Sequence, residues 1–336
     1  EDARSLAALS AAGLVFVAAL LLATTPPDAL TALDSSAVTR YNFIAGAIGI
    51  VAALLVTATT VVMSRKYPEA SSVALAHSVP FLTAAAALRL SQSHWDTAGW
   101  GWTGLGLLIG SLAVLGLPKR YRISIAAPLV VGTVLAATSL LVSLGQLSQA
   151  GISSILFALV IVLLQVAPWI ALAHIPVRIL DADTTEQIPA KGITDQVSTS
   201  FVFVVALRAG GALAALFLAI SLMTAPVTRS VTLPLTLIML GSVSLVLQTR
   251  SIRARVEVLL GALTGLIIIL VSAVLGAYAD PMMMPWLTLS AIATALVLVV
   301  TNVVGPRARP HLTRLADTIS VLSLFVLLPL AVYLWS

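Results

Sequence analysis

Apolar stretches close to 20 residues long recur along the whole of this chain. As an α-helix, each is long enough to cross a hydrocarbon layer of about 30 Å. The 336 residues are 60% hydrophobic and 9% charged, whereas soluble domains run near 25% charged. So few charges cannot cover the surface of a water-soluble fold of this size. Mean hydropathy is +1.09. The chain reads as a polytopic membrane protein, and soluble enzyme classes are excluded.

The expected fold is an all-α membrane protein, an eleven-transmembrane-helix bundle. Its spans fall near 5–24, 41–63, 70–90, 101–117, 123–143, 152–173, 201–223, 231–248, 256–277, 285–304 and 317–335. At roughly 20 residues per span, eleven spans leave only about 116 residues for loops and ends. Residues 1–336 are therefore expected to form a single transmembrane domain. An odd count puts the termini on opposite sides.

Lys and Arg choose the orientation, because cytoplasmic loops carry the excess of both. With the N-terminus cytoplasmic, 15 of the 18 basic residues fall inside, and only Arg40, Arg89 and Arg229 fall outside. A missed span would scramble this alternation from that point on. The expectation is an N-terminus in the cytoplasm and a C-terminus outside it. Trp95, Trp100, Trp102, Trp286 and Trp335 then fall near the outer interface, where the amphipathic indole anchors at the headgroups.

The chain opens Glu1-Asp2-Ala3-Arg4 and enters the first span almost at once, as if a longer chain were seen from partway along. That span has no strongly basic lead-in and no small-x-small cleavage site, so it does not read as a signal peptide. One inside segment, 174–200, is long for a connection. Loops of that length are functional or disordered, and its centre is the surface large enough to dock a soluble partner. It holds Arg178, Asp181, Asp183, Glu186, Lys191 and Asp195. The tightest basic clusters are Arg250, Arg253 and Arg255, then Arg307, Arg309, His311 and Arg314. Anionic-lipid contact explains them, and partner docking is compatible with them.

Ionisable residues at membrane depth are expensive and mark function where they occur. His77 lies three residues before Pro80 in the third span. A neutral His bonded to a neighbouring helix beside a packed kink explains the pair. A secondary-transporter site near a broken helix is the alternative. Arg89, Arg208 and Glu257 read as snorkelling or interface residues, and Gln165 and Asn302 as interhelical hydrogen-bonding groups. No span carries paired carboxylates or a Ser/His/Asp set, so a lipid-handling enzyme is the weakest reading. With no cysteine, neither a disulfide nor a thiolate metal site can form. Met282-Met283-Met284 offers thioethers suited to Cu(I), but consecutive residues converge poorly on one ion, and an apolar interfacial turn is the better account. No Walker-type phosphate loop is present. No catalytic, cofactor or metal residue is therefore expected. Small residues, including Ala84 to Ala87, Gly101/Gly104/Gly106/Gly110 and Ala206/Ala209/Gly210/Gly211/Ala214, supply faces for close helix approach.

Three stretches carry a family likeness. They are Ala167-Pro168-Trp169-Ile170-Ala171-Leu172-Ala173-His174-Ile175-Pro176-Val177 before the acidic loop, Gln248-Thr249-Arg250-Ser251-Ile252-Arg253-Ala254-Arg255-Val256-Glu257-Val258 between spans eight and nine, and the tail from Arg314-Leu315-Ala316-Asp317 to Leu328-Pro329-Leu330-Ala331-Val332. With the eleven-span layout, the chain resembles EccD, the polytopic component of actinobacterial type VII (ESX) secretion. The resemblance implies a non-enzymatic scaffold in the bacterial plasma membrane. It implies a second EccD copy paired around a lipid-filled space, and assembly with EccB, the ATPase EccC and EccE. It also implies export of folded WxG100 and PE/PPE proteins on ATP used by EccC, and no nucleic-acid partner. Family members begin with a cytoplasmic ubiquitin-like domain, which is expected upstream of Glu1. Partner contacts are then expected at Arg178, Asp181, Asp183, Glu186, Lys191, Asp195, Arg250, Arg253, Arg255, Arg307 and Arg309.

Overall fold

A computed structural model describes residues 2–23, 35–66, 70–91, 97–116, 122, 125–145, 148–173, 190–225, 231–248, 255–285, 287–289, 292 and 309–335. Every regular element among them is helical. In chain order these are α1 (Asp2–Ala23), α2 (Ser35–Lys66), α3 (Ala70–Leu90), α4 (Thr97–Ser111) with a 3-10 turn at Leu112–Gly116, and α5 (Ala126–Gly145). Then follow α6 (Gln149–Ala173), α7 (Ala190–Thr224), α8 (Thr232–Gln248), α9 (Arg255–Ala279) with a 3-10 turn at Pro281–Met283, and α10 (Arg309–Trp335). Seven helices are long and apolar enough to cross a membrane, and Ser10–Ala23 and Thr232–Gln248 are shorter apolar segments.

Helices stand where ten of the eleven spans are expected; the remaining one, 285–304, lies mostly outside the described residues. Two differences are physical. α7 starts at Ala190, so the segment read as a loop to residue 200 is helical over its last turns. It is polar there, and hydropathy cannot tell a polar helix from a loop. α2 runs 32 residues, or about 48 Å at 1.5 Å per residue, well beyond the apolar stretch inside it.

The chain forms two compact units. One holds Glu1–Ser143 and Pro168–Gly210; the other holds Leu144–Ala167 and Gly211–Ser336. In the first unit α3 is the central helix, with Ala76 and Ala86 fully buried and Val79, Leu82 and Leu88 nearly so. α2 presses Gly46 and Gly49 onto Ala86 and Leu90, and α1 sets Phe16 edge-on to Phe81 at 5.2 Å.

α4 is packed on two faces by its glycines. A Cβ at Gly106 would stand 2.6 Å from Ala84 Cα, and one at Gly110 would stand 2.7 Å from Pro80 Cα. On its other face, a Cβ at Gly104 would stand 2.6 Å from the Ala136 nitrogen of α5. Thr83 Oγ1 donates to Gly106 O at 2.7 Å and joins the first face. Such approach is what small residues permit between membrane helices.

In the second unit Phe157, Ala158 and Ile161 of α6, Leu218 and Leu222 of α7, Leu237 and Ile238 of α8, Ile268 of α9 and Leu327 of α10 are all fully buried. Gly241 makes room for the Phe157 ring, 2.7 Å from its missing Cβ. Ser148 Oγ accepts from the Gly151 nitrogen at 3.1 Å, the N-cap bond that starts α6. Most other hydroxyls are spent locally: Thr57, Thr60, Thr138, Thr264 and Ser323 each donate to the carbonyl four residues back, at 2.6–2.8 Å. They therefore enter lipid with their protons satisfied.

The glycine packing makes a paired prediction. Gly106→Ala drives a methyl into the α3 backbone and is expected to cost about 1–3 kcal/mol, as overpacking does. Gly13 has nothing within 4 Å of its missing Cβ, so Gly13→Ala is expected to be neutral or to stabilise by about 0.5–1 kcal/mol. Thermal denaturation of both variants in one detergent checks this, and equal midpoints for Gly106→Ala and wild type would refute it.

Candidate functional site: polar clamps and an apolar groove

The membrane-embedded polar groups sort into two sets, one in each unit. In the first unit Arg89, near the end of α3, turns inward. Its Nε donates to Leu22 O at 2.5 Å and its Nη1 to Asn42 Oδ1 at 3.4 Å. Four residues beyond Leu22 stands Pro26, which has no N–H, so Leu22 O lacks the donor that would ordinarily pair it within its own helix. A cation at that end also complements the helix dipole. Arg89 Nη2 is buried and has no hydrogen-bond acceptor. The snorkelling expected of Arg89 is thus replaced by a clamp joining the end of α1, the start of α2 and the end of α3. Arg208, also expected at the interface, is only 6% exposed within α7. An arginine near a span end gives the same sequence signal whether it turns out or in; only its neighbours' unsatisfied carbonyls could have told them apart.

His77 Nδ1 lies 2.7 Å from Val73 O of its own helix. The space beside Pro80 is filled by α4 at Gly110. Trp100, expected as a headgroup anchor, is 6% exposed and belongs to the core, whereas Trp102 and Trp335 are exposed. The methionine turn is a short 3-10 element capped by Asp280 Oδ1, which accepts from the Met282 nitrogen at 3.0 Å. Met282 and Met284 stand exposed on it.

In the second unit α6 carries polar contacts at both of its ends. Near its start, Gln149 Nε2 donates to Ser221 Oγ at 3.0 Å, Ser153 Oγ meets the same hydroxyl at 2.9 Å, and Ser154 Oγ donates to Ala331 O at 3.0 Å. Further along, Gln165 Nε2 donates to Ser244 Oγ, and Gln248 Nε2 donates to Gln165 O at 3.0 Å. These bonds hold helices together. They do not converge on a common point where a reactant could sit, and among the described residues no three His, Asp or Glu side chains group as metal ligands.

Outward, α2 carries an open apolar groove of about 440 Å³ lined by Phe43, Ile44, Ala47, Ile48, Val51, Ala52 and Leu55. Its lining matches hydrocarbon in chemistry. Of the expected partner contacts, Arg178, Asp181, Asp183, Glu186, Arg250, Arg253 and Arg307 lie outside the described residues. Lys191 and Asp195 fall in the first turns of α7, and Arg255 and Arg309 begin α9 and α10.

The Arg89 clamp is testable. Arg89→Met strands a helix-terminal carbonyl and the Asn42 amide, and is expected to cost about 1–3 kcal/mol. Arg89→Lys, with one ammonium for two acceptors, is expected to fall between. Chemical denaturation in detergent reads the series; a methionine variant as stable as wild type would mean the cost of desolvating the guanidinium cancels its bonds.

Comparison with known proteins places this architecture. The family model described as the EccD-like transmembrane domain matches residues 3–336. A solved structure described as protomer 1 of the ESX-3 core complex superposes with a TM-score of 0.73 at 18% identity, covering 99% of this chain and 75% of that one. A second, the MycP5-free ESX-5 inner membrane complex in State II, gives a TM-score of 0.57 at 19% identity, covering 85% and 71%. At such identities the likeness is one of fold. No curated protein matches the sequence. The matched family spans nearly the whole chain, and its apolar helices agree with it: the protein is a multi-pass membrane protein and belongs to the EccD-like transmembrane domain family.

Proposed function

We propose that this chain is a scaffold subunit of a type VII (ESX) secretion complex in the bacterial inner membrane. The observation that carries the reading is the family match over residues 3–336, supported by a fold shared with an ESX-3 core protomer over 99% of the chain. The interior supports it as well. Its polar side chains tie helix to helix, as a structural subunit requires. On this reading the N-terminus is cytoplasmic and the C-terminus is outside. A second copy pairs with the first around a lipid-filled space. EccB, EccC and EccE complete the assembly, and EccC uses the ATP that drives export of folded WxG100 and PE/PPE proteins. Segment 174–200 and the basic run from Arg250 to Arg255 face the cytoplasmic partners. The packing of Gly110 against Pro80 speaks against the transporter alternative.

The test is purification of the tagged protein from native membranes in mild detergent, with mass analysis of what is retained. A particle far larger than a dimer, containing an FtsK-like ATPase, is the expected result. A clean monomer or dimer without partners would overturn the reading. Replacing Arg250, Arg253 and Arg255 together by Ala is expected to lower the yield of that particle; an unchanged yield would remove this loop from the docking surface.

A further inference from the structure

Between Arg40 and Arg65, α2 carries no charged side chain. The 24 residues between them span about 36 Å at 1.5 Å per residue, enough to cross a hydrocarbon layer of about 30 Å. Arg40 therefore stands at one face of that layer, at headgroup level. It is exposed, and helix side chains lean towards the N-terminus, which carries its guanidinium out of the hydrocarbon.

The apolar groove of α2 lies directly beneath it. Ile44, Ile48, Val51 and Leu55 follow Arg40 at steps of four, four, three and four residues, the spacing of one helix face. Each is more than half exposed, and all four line the groove. From Phe43 to Leu55 the groove runs about 18 Å along the helix, a little more than half of a hydrocarbon layer of about 30 Å. It reaches from the headgroups to the midplane and so covers one leaflet.

Two features choose the occupant. The exposed wall is built from Phe, Ile, Val and Leu, which hold another helix backbone at a distance. Close helix approach wants small residues, and those of α2, Gly46 and Gly49, are already pressed onto α3. A flexible acyl chain can follow a furrow that a helix cannot enter. The charge at the mouth then selects among lipids, because a basic residue at the membrane surface attracts an anionic headgroup.

We infer that α2 holds an anionic phospholipid of the leaflet on the Arg40 side, with its phosphate at the Arg40 guanidinium and one acyl chain along Ile44, Ile48, Val51 and Leu55. One helix of one copy builds the site, so it goes beyond the assembly proposed above and does not depend on it.

The chain has no cysteine, so single cysteines can carry a fluorophore. Leu54→Cys places it beside the deep end of the groove, and Phe325→Cys places it on an exposed position of α10 as a reference. The full chain is reconstituted in phosphatidylcholine vesicles containing phosphatidylglycerol or phosphatidylcholine with brominated acyl chains, whose bromines quench a fluorophore that they touch. At position 54, brominated phosphatidylglycerol is expected to quench at about fivefold lower mole fraction than brominated phosphatidylcholine, the preference that one surface cation supplies. At position 325 the two should match. Arg40→Gln, a change at an exposed side chain, is expected to abolish the preference at 54. Equal quenching by the two lipids at 54, the same preference at 325, or a preference that survives Arg40→Gln would each overturn the site. So would a fluorophore at 54 that neither lipid reaches, since protein, a second copy included, would then cover this face.

Discussion

Everything in this bundle depends on how closely its helix backbones can approach. In water, apolar faces are pressed together because water rejects them. In lipid that drive is missing, since the acyl chains are as apolar as leucine, and association rests on close packing and interhelical bonds. Dispersion is short-ranged, and a gap of under an ångström already forfeits much of it. The chain meets this with glycine and alanine at the contacts. α4 shows the principle at its limit: Gly106 and Gly110 lie against α3, Gly104 lies against α5, and the helix between them has almost no side-chain thickness to spare.

Close approach decides what polar groups can do. A hydroxyl that returns to its own helix, as Thr60 and Thr138 do, is compatible with any neighbour and specifies none. A side chain that crosses to another helix fixes both depth and rotation, because its partner sits at one place. Ser221 is such a point in α7, receiving Gln149 and Ser153. Arg89 is the charged version in the other unit. A guanidinium in the membrane is costly, but here it meets a carbonyl that its own helix cannot satisfy, so two costs are reduced by one contact.

The helical segments were legible because span length and apolarity are properties of a stretch, and neither needs a partner to be known. What escaped the sequence depends on partners. Arg89 and Trp100 carry the signature of interface residues, yet both turn inward, and which way a side chain faces at a span end is set by the helix beside it. The helical start of α7 escaped for a different reason: from Ala190 to Ser200 the segment is too polar to read as a span and has no apolar stripe to betray a helix. The basic clusters at 250–255 and 307–314, legible as topology signals, lie partly outside the described residues, since Arg250, Arg253 and Arg307 do. The small-residue faces are legible in the sequence, but which helix each one meets is not, because complementarity is a property of two surfaces.

The division of labour between inside and outside bears on the proposed scaffold role. Inside each unit, glycine contacts and crossing hydrogen bonds leave the helices few alternative registers. Outside, α2, α9 and α10 turn large apolar side chains outward, among them Phe43, Ile44, Leu263, Leu270, Phe325 and Val332. In a soluble protein such exposure would be a liability; in a bilayer it is the ordinary surface, matched to acyl chains or to another membrane helix. A subunit that must hold its shape needs this arrangement. Interactions that fix the fold should be short, specific and interior, while the outer faces stay chemically plain so that lipid or a neighbouring subunit can be exchanged there without disturbing the core. The polar side chains that cross between helices lie at helix contacts, as the proposed scaffold role asks.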